Sequence, residues 1–278
     1  MNGHSFRAMG TEVVATGRSA ATVSGFFAAA ERVFSRFDPA SELSLLNADP
    51  APEVTVSEEL AACLERAAAL RSRTGGLVDP AVGGAVVDWG YDRTFSAGLD
   101  RRDVRDTPEL GSWTIADRQV RREPGTALDL GGIAKGWTAD LAVEAGLADM
   151  VSAGGDVRSQ RPDTTVAIVD PWGHVAARLQ LGRGGLATSS STRRRWKVGD
   201  VDAHHIIDPR RLRPADSPVY SATVMAATAV EAEAGAKAVL IHGEQGLAWA
   251  EKQDWIDAAL VVWHDGNVYA TTGWTLAA

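Results

Sequence analysis

The sequence has little cysteine, no long apolar run and no excess of basic residues. Its single cysteine, Cys63, cannot form a disulfide within the chain, which is typical of a protein that folds in a reducing compartment. No stretch has the length and apolar character of a membrane-spanning helix. Lys and Arg total 28 against 36 Asp and Glu, a formal net charge of −8, so no global basic field attracts nucleic acid. We therefore expect neither a membrane span nor a nucleic-acid partner.

The 278 residues have an ordinary globular composition, with 45% hydrophobic and 23% charged residues. No linker, internal repeat or low-complexity tract stands out, so we predict a single domain over residues 1–278. Residues 1–7 contain no apolar core of signal-peptide length, and we therefore predict a cytoplasmic protein. An export leader that preceded this sequence is the alternative.

Hydrophobic periodicity predicts both helices and strands. An apolar stripe from Phe26 to Phe37 recurs at helical spacing, and a second helix, with Cys63 on its apolar face, starts after Ser57. A capping box that begins at Thr228 starts a helix running to about residue 241. Strands are predicted at residues 8–16, 127–128, 150–152 and 220–225, and hairpins at residues 113–120, 164–181 and 259–272.

The stretch at residues 127–137 places two glycines, one acid and one base in front of a predicted helix. Gly131 and Gly132 carry no Cβ and let the backbone approach a ligand closely. The amide N–H groups at the helix start suit an anion such as a phosphate, which the ammonium of Lys135 can also reach. Asp129 can hold a cation or accept hydrogen bonds from a donor-rich ring. The same spacing is equally expected of an ordinary turn in which Asp129 caps the helix.

The residues Asp-Leu-Gly-Gly-Ile-Ala-Lys-Gly at 129–136, followed by Trp137 and Asp140, resemble the signature of the FAD:protein FMN transferases. This family was once labelled thiamine-biosynthesis lipoproteins, and its pattern is longer and more specific than a lone glycine-rich loop. Further blocks resemble family motifs and occur in the family's order. They are Met-Gly-Thr at 9–11, the segment 37–47, Leu-Val-Asp-Pro-Ala-Val-Gly at 77–83, Trp-Gly-Tyr at 89–91, Gly-Gly-Asp at 154–156, Thr-Ser-Ser at 188–190 and His-Ile-Ile-Asp-Pro at 205–209.

The resemblance implies an α+β fold, in which an antiparallel sheet core with flanking helices forms a flavin transferase, T-fold-like architecture. It implies transfer of FMN from FAD to a Ser or Thr hydroxyl of an acceptor flavoprotein, with Mg²⁺ at the pyrophosphate and release of AMP. One alternative is a metal-dependent FAD pyrophosphatase, in which water replaces the protein hydroxyl. The other is a non-catalytic FAD-binding protein with a degenerate metal site. Lys237 suggests the latter, as does Ser190, which replaces a family glycine and is expected to reshape a turn.

The resemblance also assigns roles to particular residues. His205 is the expected acid/base, because histidine titrates near neutrality. Side-chain alternation along a strand places its neighbour His204 on the opposite face, outside the site. The implied metal ligands are the carbonyl of Gly132 and the side chain of Glu233. The implied FAD-binding residues are Met9, Phe37 (where the family usually has Tyr), Trp89, Gly90, Tyr91, Asp129, Lys135 and Ile206.

Two positions on the last predicted helix depart from the family pattern. The family holds Mg²⁺ with an Asp and, four residues later, a Thr, whereas the aligned residues here are Glu233 and Lys237. A protonated Lys has no lone pair for a cation, and two like charges about 4 Å apart repel by roughly 4 kcal/mol near a protein surface. We therefore expect weak Mg²⁺ binding and FAD binding that survives a chelator. A surface Glu–Lys pair of small energetic effect is the alternative.

Overall fold

The structure, a computed structural model, describes residues 3–17, 19–94, 109–192 and 194–274. By its internal contacts the chain divides into two units, which we describe separately. Unit 1 contains Met1–Phe27, Lys135–Ser190 and Asp216–Ala278, and unit 2 contains Ala28–Ala134 and Ser191–Ala215. The single domain expected over residues 1–278 stays a prediction.

Strands and helices are numbered in chain order. The strands are β1 (Gly3–Ala8), β2 (Thr11–Thr16), β3 (Glu53–Thr55), β4 (Trp113–Ala116), β5 (Gln119–Arg122), β6 (Met150–Ala153), β7 (Asp156–Ser159), β8 (Thr165–Val169), β9 (Val175–Gln180), β10 (Gly184–Ser190), β11 (Arg195–Val198), β12 (Val201–His204), β13 (Ile207–Asp208), β14 (Arg213–Pro214), β15 (Val219–Ala226), β16 (Ile256–Trp263) and β17 (Val268–Ala270). The α-helices are α1 (Val23–Phe34), α2 (Glu42–Ala48), α3 (Glu58–Arg73), α4 (Gly83–Asp88), α5 (Ala134–Glu144), α6 (Ala229–His242) and α7 (Gly246–Ala250).

Unit 1 is built on an eight-stranded sheet with the order β1-β2-β6-β7-β10-β15-β16-β17. Every neighbouring pair of strands in this sheet is antiparallel. Strands β8 and β9 form a separate antiparallel hairpin in the same unit. The expected α+β fold with an antiparallel sheet core is therefore confirmed.

Helix α6 packs against β10 and β15, and small residues allow this close approach. Thr228 caps the helix by accepting a hydrogen bond from an N–H of its first turn, as the capping box predicted. A Cβ on Gly235 would lie 3.0 Å from Val224 Cγ1, and a Cβ on Gly185 would lie 2.1 Å from the carbonyl carbon of Thr228. The helix is buried along most of its length, and a charged side chain on it, Glu233, is buried as well.

Helix α5 belongs to unit 1 from its second residue onward and is held by an apolar cluster with the strands beside it. Ala139, Ala142 and Val143 of the helix pack with Val13 of β2 and Val151 of β6. Contacts of this kind contribute most of the stability of a helix within a protein, because an isolated short helix is marginal in water. They hold α5 against the sheet of unit 1.

Unit 2 contains α2, α3 and α4 together with small antiparallel sheets, in the orders β3-β5-β4, β11-β12 and β13-β14. Ser57 caps α3 by accepting from Leu60 N–H, and Cys63 of this helix is buried, both as predicted. A second apolar cluster joins Val86 of α4 to Trp196 of β11 and to Tyr91.

Several short elements differ from their predictions. The strand expected at residues 8–16 is a hairpin, because Met9 and Gly10 form a tight turn with φ of +49° and +69°. Helix α1 ends at Phe34, so Phe37 lies beyond the core stripe. Residues 127–128 form no strand, and the helix after them starts at Ala134 rather than at the glycines. Ser190 lies within strand β10 instead of a turn.

The predicted hairpins are present: β4–β5, β8–β9 and β16–β17 pair as expected, with turns at the predicted positions. In the first of these the turn residues Asp117 and Arg118 adopt φ of +48° and +64°, the backbone required by a two-residue hairpin turn. No helix in the described part of the chain is long and apolar enough to cross a membrane.

Candidate functional site

Unit 2 presents two aromatic rings in contact with each other and with one guanidinium. The ring centroids of Phe37 and Tyr91 are 5.4 Å apart, with an interplanar angle of 56°. The guanidinium carbon of Arg36 lies 4.1 Å from the centroid of Phe37 and 4.6 Å from that of Tyr91. Tyr91 is buried, whereas 36% of Phe37 is exposed. Phe37 therefore offers an aromatic face to a ligand, and Arg36 adds a cation–π contact to each ring.

Asp129 of the signature is held by two partners in unit 2. Arg36 Nε lies 2.8 Å from Asp129 Oδ2, and both side chains are largely buried. The N–H of Gly131 donates to Asp129 Oδ1 at 2.6 Å, which closes a local turn. Asp129 is therefore a turn residue paired with Arg36, and it does not cap α5, which begins five residues later at Ala134.

The segment before Asp129 is positioned by an asparagine and a glycine. Asn47 Nδ2 donates to Leu128 O, and Leu128 N–H donates to Asn47 Oδ1, both at 2.8 Å. The Asn47 side chain thus supplies hydrogen bonds to Leu128, in the segment 127–128 for which the sequence predicted a strand. A Cβ on Gly83 would lie 2.6 Å from Ala127 O, so only glycine permits this approach. The Asp129 N–H completes the arrangement by donating to Pro80 O at 2.8 Å.

Trp89 and Gly90 form a wall that is fixed by hydrogen bonds. Trp89 Nε1 donates to Leu212 O at 2.9 Å, and Trp196 Nε1 donates to Trp89 O at 2.7 Å. Gly90 has φ of +95°, a backbone that other residues rarely adopt. Trp196 also packs on Tyr91, with 5.5 Å between the ring centroids. Hydrogen bonds and packing therefore fix the positions of Trp89 and Trp196.

The two adjacent histidines have different environments, although not for the predicted reason. Strand β12 ends at His204, so His205 lies at a bend and strand alternation does not apply to the pair. His204 is buried: its Nε2 donates to Ala215 O at 2.9 Å, and its Nδ1 accepts from Ile206 N–H at 3.3 Å. Burial lowers the pKa of His204 below its usual value. His204 is therefore a structural residue, whereas His205 is only partly buried.

Unit 1 contains a cluster of four charged residues at the start of α5. Lys135 Nζ lies 2.5 Å from Glu233 Oε1 and 3.1 Å from Asp156 Oδ2. Lys237 Nζ donates to the same Glu233 Oε1 at 3.0 Å. The side chain of Glu233 is only 2% exposed and that of Asp156 only 5%. This buried quartet was not predicted as a unit, and Asp156 was not predicted as a site residue.

The charges and the burial of the quartet shift the pKa values of its two carboxyl groups in opposite directions. Burial alone raises the pKa of Glu233, but attraction by Lys135 and Lys237 outweighs it and leaves this pKa below its usual value. Burial, with repulsion by Glu233, raises the pKa of Asp156. Glu233 is therefore the firmly ionised member, and both lysines are directed to it.

Each of the two helices beside the quartet supplies a carboxylate that accepts N–H groups at the N-terminus of the other helix. Glu233 Oε2 of α6 accepts from Gly136 N–H of α5 at 3.2 Å. Asp140 of α5 accepts from Ala229 N–H at 2.8 Å and from Val230 N–H at 2.9 Å, at the start of α6. One of the amides predicted to bind a phosphate is thus already used by Glu233.

The arrangement at Glu233 does not fit the predicted Mg²⁺. Two ammonium groups lie against Oε1, and the other oxygen accepts a backbone N–H. Among the residues that the structure describes, no group of three or more His, Cys, Asp or Glu could hold a metal ion. The other predicted ligand, Gly132, belongs to unit 2. Mg²⁺ requires several oxygen ligands, and here positive charge already lies where the cation would bind.

Met9, the remaining predicted flavin residue, lies in unit 1 at the turn between β1 and β2. Its φ of +49° is unusual for a residue other than glycine. Turn formation, rather than a straight strand, is therefore what fixes its position. Ile206, by contrast, is buried in unit 2 just after the histidine pair.

Sequence reasoning missed several partners of the predicted residues. Arg36 directly precedes Phe37, and a base next to an aromatic residue was a usable signal for the cation–π arrangement. Asp156 closes the Gly-Gly-Asp block, which was recognised without a role. Trp196 carried no signal, because nothing in one sequence tells that a tryptophan 107 residues away donates to Trp89 O.

Solved structures share this architecture. The chain resembles the ApbE protein of Thermotoga maritima with a TM-score of 0.83 and 26% identity, covering 98% of this chain and 97% of that one. It resembles the flavin transferase ApbE of Vibrio cholerae with a TM-score of 0.80 and 25% identity, with the same coverage of both chains. The fold is therefore that of the flavin transferases, as the resemblance implied.

Relatives with similar sequences point to the same family as the fold. A protein of Rhodobacter capsulatus named FAD:protein FMN transferase is 35% identical over 251 residues, which cover 83% of this chain and 48% of that protein. The chain thus spans about half the length of this relative. A protein of the same name from Treponema pallidum (strain Nichols) is 32% identical over 277 residues, covering 87% of this chain and 76% of that protein. The model of the ApbE family matches residues 9–260, and the chain belongs to the ApbE family.

Proposed function

We propose that this chain transfers FMN from FAD to a hydroxyl of an acceptor flavoprotein and releases AMP. Family membership and the names of the relatives support the reaction class. One structural observation carries the flavin part: the aromatic face of Phe37 and Tyr91, with Arg36 against both rings and paired with Asp129. An isoalloxazine is a flat ring with hydrogen-bond donors and acceptors at its edge. An aromatic face beside a guanidinium–carboxylate pair suits such a ring.

The proposed chemistry is a phosphoryl transfer. The acceptor oxygen attacks the phosphorus on the FMN side of FAD, a new P–O bond forms, and the bridging P–O bond to AMP breaks. His205 is the residue we assign to accept the hydroxyl proton, which then passes to the leaving AMP or to solvent. The protein's contribution is mainly to position the two reactants and to balance phosphate charge.

Three finer points belong to this proposal. The acceptor group is a Ser or Thr hydroxyl, and the site of action is the cytoplasm. A divalent cation at the pyrophosphate is the usual expectation for this chemistry. Because the residues around Glu233 do not fit one, no step of the proposed reaction depends on Mg²⁺ at that side chain.

Mass spectrometry tests the proposed reaction. FAD is incubated with the protein, with and without a candidate flavoprotein that carries a target Ser or Thr. A mass increase of the acceptor equal to FMN minus one water, with AMP in solution, supports transfer. Free FMN and AMP without an acceptor would indicate a pyrophosphatase, and intact FAD in both reactions would indicate a binding protein.

Flavin fluorescence tests the proposed binding site. Saturable binding of FAD, with no comparable binding of NAD or ATP, is expected. Phe37→Ala should weaken FAD binding about tenfold, the loss of roughly 1.4 kcal/mol of stacking. Leu45→Ala is the matched control, because Leu45 is a 58%-exposed apolar side chain of the same unit. Equal effects of both changes, or preferential binding of NAD, would contradict the flavin assignment.

A further inference from the structure

Two of the four lysines in the sequence, Lys135 and Lys237, lie in the buried quartet with Asp156 and Glu233. They come from different elements, since Lys135 is on α5 and Lys237 is one turn beyond Glu233 on α6. Both approach Glu233 Oε1, at 2.5 Å and 3.0 Å. A single carboxylate oxygen therefore receives an ammonium group from each of two helices.

The exposed part of the quartet is its positive part. The side chains of Lys135 and Lys237 are 15% and 17% exposed, whereas those of Glu233 and Asp156 are 2% and 5% exposed. A solute that reaches the quartet from solvent therefore meets the lysines before the carboxylates. This order of access favours an anion and opposes a cation.

The second oxygen of Glu233 is also used. It accepts the N–H of Gly136, which lies in the first turn of α5. A cation at Glu233 would have to displace two ammonium groups and a backbone hydrogen bond. In exchange it would gain the carboxylate of Glu233 and, with Lys135 displaced, that of Asp156. Mg²⁺ is commonly held by one or two carboxylates together with substrate phosphates and waters, so the feature that opposes it here is the pair of ammonium groups on Glu233 Oε1.

We propose that the ammonium groups of Lys135 and Lys237 take the place of a divalent cation at Glu233, so that this chain binds the pyrophosphate of FAD without a metal ion at that carboxylate. This inference rests on the proposed function, because FAD supplies the pyrophosphate. Glu233 is then a positioning residue that holds the two lysines, and Asp156 steadies Lys135 from the other side.

Titrations of the metal-free protein test the inference. After EDTA treatment, calorimetry with MgCl₂ alone is expected to show no saturable binding. FAD affinity, measured by flavin fluorescence, is expected to differ by less than about threefold between EDTA and millimolar MgCl₂. Tight Mg²⁺ binding by the unmodified protein, or FAD affinity that falls at least about tenfold in EDTA, would overturn it.

Two variants sharpen the test. Lys237→Met should weaken FAD binding about tenfold in EDTA, since one phosphate-neutralising charge is lost. The double change Glu233→Asp with Lys237→Thr should create a requirement for Mg²⁺, with FAD bound at least about tenfold more tightly in MgCl₂ than in EDTA. The matched control is Glu251→Asp with Lys252→Thr, an exposed Glu and Lys of the same unit. This control should leave FAD affinity unchanged both in EDTA and in MgCl₂.

The outcomes separate the inference from the proposed function. If FAD binds in neither buffer, the proposed function fails, and Mg²⁺ calorimetry on the protein alone still decides whether Glu233 is a cation site. Unchanged FAD affinity in Lys237→Met would overturn the role of that ammonium. If the double variant does not fold, as judged by its thermal transition, the titrations of unmodified protein and of Lys237→Met decide the question.

Discussion

Asp140 and Glu233 cap each other's helices. Asp140, on α5, accepts the first two N–H groups of α6, and Glu233, on α6, accepts the N–H of Gly136 near the start of α5. Each carboxylate also lies at the positive end of the other helix dipole. These hydrogen bonds connect the starts of α5 and α6, and they position Glu233 for its contacts within the quartet.

The close approach of the two helices depends on Gly136. A Cβ at this position would lie 2.9 Å from both the Cα and the N of Val230, which are backbone atoms that cannot move aside. Gly136→Ala should therefore lower the free energy of unfolding by roughly 1–3 kcal/mol through overpacking. Gly25→Ala in α1 is the control, because nothing lies within 4 Å of its added Cβ. Helix propensity predicts that this control stabilises by about 0.5–1 kcal/mol.

Urea denaturation of the two glycine variants measures the change in the free energy of unfolding that each substitution causes. Opposite signs are the expected result, with Gly136→Ala destabilised and Gly25→Ala stabilised. If both substitutions stabilise the protein, the helices are farther apart at Gly136 than the structure shows.

Removal of the Glu233 carboxylate should be costly. Glu233→Ala removes the carboxylate that Lys135, Lys237 and the Gly136 N–H share, and breaking a buried ion pair from one side typically costs about 3–5 kcal/mol. The lysines keep some solvent contact, so the lower end of that range is expected. Glu251→Ala, an exposed change, should stay within roughly 0.5 kcal/mol. Chemical denaturation compares them, and equal midpoints would mean that Glu233 is not structurally required.

The sequence predicted local features better than contacts between residues far apart in the chain. Local patterns were enough for elements with a strong signal, such as the cap at Thr228, the helix around Cys63 and the hairpin turn after Ala116. Asn47 shows where such patterns fail. Its side chain supplies the hydrogen bonds of a missing strand to Leu128, 81 residues away, and no local rule predicts that pairing.

The candidate site was predicted by residue identity more than by arrangement. The signature pointed to Lys135 as an anion-binding residue, but its contacts to Glu233 and Asp156 arise from the packing of α5 on α6. For Lys237 the sequence leaves two explanations, a weakened Mg²⁺ site or a plain surface pair with Glu233. Its contact with a buried carboxylate excludes the plain surface pair.

The two histidines should fail in different ways when mutated. His204→Ala removes two buried hydrogen bonds and should destabilise the protein by roughly 1–3 kcal/mol, while transfer per folded molecule persists. His205→Ala should abolish FMN transfer with little loss of FAD affinity or stability. Denaturation, flavin titration and acceptor mass together distinguish the two. Loss of transfer in a fully folded His204→Ala protein would remove the distinction between them.

The last prediction concerns the pH dependence of stability at Asp140. Burial raises the pKa of its carboxyl from 3.8 to about 6, despite the N–H groups of Val230 and Ala229, which act to lower it. Between these values the folded protein keeps a proton that the unfolded chain has released. The contribution of Asp140 to stability is therefore largest below about pH 4 and is lost as the pH rises through about 6.

Asp140→Asn has no titrating carboxyl at this position, so the comparison isolates the effect. The unfolding free energy of the unmodified protein minus that of Asp140→Asn should shrink as the pH rises from about 4 to above 6. The expected decrease is up to roughly 3 kcal/mol, since one pKa unit corresponds to about 1.4 kcal/mol. Urea denaturation across this range measures it, with Asp254→Asn, an exposed carboxylate of the same unit, as the control. A difference that stays constant or grows with pH would mean that the Asp140 carboxylate is stabilised by its helix N-terminus more than it is penalised by burial.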